Sequence, residues 1–170
     1  NDMVATKLVL SYPIWRGQLQ AGTEETFVKR KATNEITGAG LPNSISHVND
    51  NVYAGFIQYG FSLDQNTSFN VGVRYEHAYF DYKEQINPDA NLNRSFDNVF
   101  PSASFSTKLG KVRASLSYAS YTSRPQYWQL SNAMSYHNRY VFQQGNATLK
   151  PSTQHNVSLT TMFGMFTIGA

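Results

Sequence analysis

The chain has 170 residues, with 14 Lys and Arg against 11 Asp and Glu for a net charge of +3, and no cysteine. The missing cysteines exclude a disulfide scaffold and a thiolate metal site, and basic residues scattered along the chain give no support to a nucleic-acid footprint. Charged residues are 15%, below the roughly 25% of soluble domains, while aromatics reach 14% and the mean hydropathy is still −0.43, averages that alternating barrel strands give and that a soluble β-sandwich shares.

In chain order, Val4 to Ile14 alternates, with Val4, Leu8, Leu10, Tyr12 and Ile14 on one side and Ala5, Lys7, Val9 and Ser11 on the other. A period of two is the mark of a strand with one apolar and one polar face. Trp15-Arg16-Gly17 predicts a turn in which glycine supplies positive φ. Gln18 to about Lys31 runs back, with Leu19, Ala21, Thr23 and Phe27 together and Glu25 interrupting their face. A loop follows from Ala32 to about Asn51. Val52 to Leu63 then sets Tyr53, Gly55, Ile57, Tyr59 and Phe61 against Phe56, Gln58, Gly60 and Ser62. Asp64 to Thr67 is a second turn. From Ser68 to Glu84, Phe69, Val71, Val73 and Tyr75 oppose Asn70, Gly72, Arg74 and Glu76. A polar loop spans Gln85 to about Phe96.

Asp97 to Thr122 reads as a hairpin turning at Leu109-Gly110-Lys111. Its first arm carries Val99, Pro101, Ala103 and Phe105 against Ser102, Ser104 and Ser106; its second carries Val112, Ala114, Leu116 and Tyr118 against Arg113, Ser115 and Ser117. An irregular stretch from Ser123 to about Ser152 leads to a last alternating segment, Thr153 to Ala170.

About seven strands result, each reaching the roughly 9–11 residues a tilted strand needs to cross a bilayer. No apolar run is long enough for a membrane-spanning helix. The connections alternate strictly between short and long, as in outer-membrane barrels with tight periplasmic turns and larger outer loops. The expected fold is therefore all-β, an antiparallel up-and-down transmembrane β-barrel segment located in the cell outer membrane and contacting its lipid. Such barrels close with even strand numbers, and an unpaired edge in lipid is costly. Residues 1–170 are thus expected to be one fragment of a barrel domain, a partial, open wall completed by further strands. Tyr12, Trp15, Phe61, Tyr75 and Tyr79 are placed to form aromatic girdles. A soluble carbohydrate-binding β-sandwich and a stand-alone or adhesin-like barrel are the competing readings.

Two words flank the longest loop: Tyr121-Thr122-Ser123-Arg124-Pro125, and Gly145-Asn146-Ala147-Thr148-Leu149-Lys150-Pro151. Together they resemble the Y-x-S-R-P and G-N-P-x-L-K-P pattern in the barrel of TonB-dependent outer-membrane transporters, in the subgroup called outer-membrane β-barrel family proteins, with Ala147 in place of the second pattern's proline. The resemblance implies a barrel of about 22 strands with a plugged lumen. It also implies import of a scarce large nutrient (siderophore, glycan, peptide or similar) driven through TonB, which would act on a plug outside this chain. Independently of it, Pro125 and Pro151 stop strand pairing and Gly145-Asn146 is a turn pair.

No catalytic set is present, and neither a resident cofactor nor a metal is expected. His47, His77, His137 and His155 lack ligand spacing. Asp89 to Asn93 starts like a Ca²⁺ loop, but Arg94 and Phe100 replace the glycine and glutamate the loop requires. Glu24 and Glu25, being adjacent on a strand, point to opposite faces and form no dyad. Ligand contact is expected from the outer loop, through Tyr127, Trp128, Tyr136, His137, Arg139 and Tyr140, since aromatic faces with a few donors suit sugars, peptides or chelates. Arg74, Glu76 and Arg113 are expected to face the lumen.

Overall fold

Among the described residues ten strands and one short helix follow one another: β1 (Asp2–Ile14), β2 (Gly17–Asn34), β3 (Ser44–Ser62), β4 (Thr67–Glu84), β5 (Leu92–Leu109), β6 (Val112–Ser123), α1 (Tyr127–Leu130), β7 (Met134–Asn138), β8 (Val141–Gln144), β9 (Ser152–Phe163) and β10 (Phe166–Gly169). The structure is a computed structural model that describes residues 2–34, 44–86, 91–130, 134–138, 141–146, 148–164 and 166–169. Eight strands form one antiparallel sheet in the order β1-β2-β3-β4-β5-β6-β9-β10, and β7 pairs with β8 in a separate hairpin. The sheet is open, with β1 and β10 at its edges, as expected of a partial wall.

Register fixes the faces. Tyr12, Leu19, Tyr59, Val71, Ala103, Tyr118 and Val157 are successive cross-strand partners on seven neighbouring strands. One residue away, Ser11, Gln20, Gln58, Gly72, Ser102, Ala119 and Asn156 form the matching row on the other face. The apolar face lies open: Leu10 is 67% exposed, Val99 60% and Val157 65%. Among the described residues no second sheet covers these side chains, so the β-sandwich reading is set aside; a face this greasy is buried by lipid. The apolar runs 4–14 and 99–109 each rise about 33 Å at about 3.3 Å per residue, and the usual tilt of about 40° reduces this to the roughly 25 Å height of a barrel's apolar band. The spanning segments are 4–14, 17–27, 53–62, 67–76, 99–109, 112–120 and 155–163.

Aromatic side chains edge the band. At the turn end Tyr59, Phe61, Phe69 and Phe105 form a ladder, with ring centroids 5.6, 5.2 and 4.7 Å apart along it. At the loop end Phe27 and Tyr53 meet edge to face at 5.6 Å. Pairs of this kind contribute about 0.5–1.5 kcal/mol each beyond area burial.

The structure departs from the sequence reading in four places. Strands β2 to β5 run past the apolar band, so the loops expected at 32–51 and 85–96 shrink; parts of both (35–43 and 87–90) lie outside the described residues. The last alternating segment is two strands, because Gly164 takes φ 58° and folds Phe166 back beside Phe163, which makes eight strands in the sheet rather than about seven. The stretch from 123 to 152 contains α1, β7 and β8. In the first turn Trp15, not Gly17, takes the positive φ of 58°. Gly17 is small for another reason: a Cβ there would strike the Gly60 carbonyl oxygen and approach Phe61 Cβ at 2.8 Å.

Candidate functional site

Ser123, the last residue of β6, pairs with Ser152, the first of β9. The long loop therefore leaves and rejoins the wall at neighbouring points, and its two recognisable words, Ser123-Arg124-Pro125 and Gly145 to Pro151, sit at its two feet. Pro125 and Pro151 lack the N–H that would continue the ladder, which is why pairing stops there. Between the feet the loop folds over the wet face of the wall above the apolar band. Leu130 is buried there beside Val48 and Ala78 of the wall, and Arg124, Pro125, Leu130, Leu149 and Pro151 close a small apolar pocket against Asp50, Phe80, Arg94 and Phe96.

Arg124 is the bolt. Its Nη2 donates to Glu76 Oε1 at 2.5 Å, and its Nη1 lies 3.3 and 3.4 Å from the two Asp50 carboxylate oxygens. Glu76 also faces Arg74 Nη2 at 3.5 Å, Arg74 Nη1 donates to Glu24 Oε2 at 3.0 Å, and Lys7 Nζ stands 3.9 Å from that same oxygen. Three cations and three carboxylates thus alternate across β1 to β4 and into the loop. The planar guanidinium explains the choice of Arg at the joint, because one fork engages two carboxylates at once. Burial pushes the Asp50 carboxyl above its ordinary range, and the Arg124 guanidinium beside it pulls it back only in part.

Backbone contacts fasten the second foot. Arg94 Nη1 donates to the Thr148 carbonyl at 2.8 Å, and the Asn146 N–H donates to the Gln129 carbonyl at 2.5 Å. Asn146 Oδ1 accepts from the Thr148 N–H at 2.8 Å and from its hydroxyl at 2.6 Å, the side-chain turn for which asparagine is favoured. Leu149 closes the turn by donating its N–H to the Asn146 carbonyl at 3.2 Å. Lys150 is exposed. The motif residues are therefore loop-folding residues that fix the connection to the wall.

Beside this joint runs a groove of about 450 Å³ lined by Val28, Arg30, Asp50, Phe80, Gln126 and Trp128, among others. Trp128 is 56% exposed, with its Nε1 donating to Gln126 Oε1 at 2.6 Å. It is the one residue of the expected ligand-contact set whose side chain is described at this groove. Tyr127 opens α1, and Tyr136 and His137 lie in β7; Arg139, Tyr140 and also Ala147 lie outside the described residues. Arg74 and Glu76 face the lumen as expected, and Arg113 is exposed. Sequence reasoning missed Asp50 and Arg30, which fall in or beside a segment read as loop. It also missed the partnership of Glu24 with Arg74, although their parity on β2 and β4 was a usable signal. Among the described residues no group of three or more His, Asp or Glu side chains is placed to hold a metal ion.

A family model described as the outer membrane protein beta-barrel family matches residues 1–168. Among solved structures the chain is similar to one named copper transporter OprC, with a TM-score of 0.71 and 13% sequence identity over 95% of this chain and 28% of that one. At that identity the likeness is one of fold, and the chain spans under a third of that transporter's length. No protein with a curated description matches the chain.

Proposed function

The chain belongs to the outer membrane protein beta-barrel family, and from that premise we propose that it is a wall segment of a TonB-dependent receptor that imports a scarce nutrient across the outer membrane. The observation that carries the reading is the outer loop: it is bolted by Arg124 to the wet face, where it overhangs the mouth of the barrel and sets Trp128, Arg30 and Asp50 around a groove. An import receptor needs binding groups at that place, and an aromatic face with one cation and one carboxylate suits a sugar, peptide or metal chelate. In this reading the remaining strands, a plug and TonB act from outside residues 1–170. The chain itself catalyses nothing.

The test is uptake by cells carrying the full-length parent protein, with copper ion, a ferric chelate, an oligosaccharide and a peptide as probes. The reading expects uptake of one probe to disappear on deletion of the parent gene and equally on loss of TonB. It expects Trp128→Ala to raise the half-saturating concentration without lowering the amount of folded barrel. Uptake that needs the parent protein but continues at full rate without TonB would favour a stand-alone barrel.

A further inference from the structure

The lipid-facing side of the wall carries its strand lysines in one place. On β2 and β4 these are Lys29, Lys31 and Lys83, while Lys7 and Lys108 share the opposite face with the serine and glutamine rows. Lys31 pairs with His47, and His47 with Lys83, on three adjacent strands. Lys29 and Lys31 lie two and four residues past Phe27, and Lys83 lies four residues past Tyr79, which places the group about 7–13 Å along the strands beyond the last outward aromatics. All three lysines are exposed. Two carboxylates stand among them, Asp81 meeting Lys83 at 3.3 Å and Asp2 standing across from Lys29 on β1, so the three lysines keep a net charge of one, carried by Lys31.

We propose that this row is a binding site for the phosphate groups of lipids in the outer leaflet. Basic residues just beyond the apolar band, on the side that faces lipid, stand where an anionic head group presents its charge, and each contributes attraction that fades within a Debye length. The inward neighbours at this level argue against any other orientation: Ser46, Val48, Tyr82 and Glu84 are buried, leaving the lysine face as the open one. The site does not depend on what the barrel imports.

The experiment uses the full-length parent protein in detergent, loaded with diphosphoryl lipid A and with lipid A lacking both phosphates, and reads retained lipid by native mass spectrometry. The diphosphoryl form should be retained selectively, with retention falling as salt rises. In the triple variant K29Q/K31Q/K83Q retention should fall about tenfold or more, whereas K108Q/K111Q should retain lipid as the parent does. Unchanged heat-modifiable gel migration shows that each barrel is folded, and should a triple variant fail to fold, K31Q alone with the salt series decides. Equal retention of the phosphate-free lipid, or no loss in the folded lysine variants, would overturn the proposal. So would full displacement by inorganic phosphate at the lipid's own concentration, which would make it a site for a free anion.

Discussion

Arg124 concentrates at one residue the link between the loop and the wall. It joins Asp50 and Glu76, whose side chains are 31% and 11% exposed, so removing it takes away the Asp50 ion pair and leaves Glu76 with Arg74 alone in a partly dry place. Arg124→Ala should destabilise the docked loop by about 1–3 kcal/mol, below the cost for a fully buried pair because water still reaches the joint. Arg124→Lys should recover only part of this, since an ammonium cannot fork between two carboxylates. Limited proteolysis within residues 124–151 of the folded protein measures both. Asp97 offers a second residue-scale check, above the apolar band. Tyr75 donates to Asp97 Oδ1 at 2.6 Å, and His77 Nδ1 lies 2.8 Å from the same oxygen. These bonds, the tyrosine's first, hold the Asp97 carboxyl below its ordinary range. A depressed carboxylate stabilises the fold above its unfolded pKa of about 3.9 and loses that contribution as pH falls through the lower folded value. Tyr75 reporter signals, such as fluorine NMR of a labelled tyrosine, should therefore move below about pH 4, and Asp97→Asn should abolish the movement.

The turns show how much of each element can be read from the chain. Two-residue hairpins join β1 to β2, β5 to β6 and β9 to β10, and the first central residue in each has positive φ: Trp15 at 58°, Gly110 at 62° and Gly164 at 58°. Glycine meets that conformation without strain and tryptophan does not. Gly110→Val should cost about 1–2 kcal/mol in urea unfolding from detergent, whereas Trp15→Gly should gain up to about 1 kcal/mol. Strands β1 to β6 were legible because alternation persists across the whole apolar band. The β9–β10 turn was not, since a two-residue reversal at Gly164 leaves the string of apolar residues looking like a continuing strand. The ends of β2, β3 and β5 were hidden for a different reason. Beyond the band neither face sits in lipid: Asn49, Asn51, Asn93 and Ser95 stand on the outer side, and the loop covers the inner one, so the pattern reads as polar chain. The feet of the loop were legible as punctuation, through Pro125, Asn146 and Pro151. That Asp50 and Glu76 would receive Arg124 depended on a contact spanning 74 and 48 residues, which no local pattern encodes.

At the scale of the molecule, the eight-stranded wall has lipid on one side and water on the other, and its stability rests on which side each residue meets. Parity should therefore govern the cost of a charge. Ala103→Arg, in the middle of the outward face of β5, should cost about 2–4 kcal/mol, while Ser104→Arg next to it, on the face of the serine rows, should cost under about 1 kcal/mol. Equilibrium unfolding of the full-length protein in lipid measures the pair. The most direct test places a single nitroxide label at each position from 100 to 107 of the parent protein in bilayers and compares collision rates with oxygen, which partitions into lipid, and with a water-soluble nickel chelate. The two-faced wall predicts oxygen maxima at 101, 103, 105 and 107, with minima at the even positions between them. Maxima at the even positions, or no period of two, would contradict it.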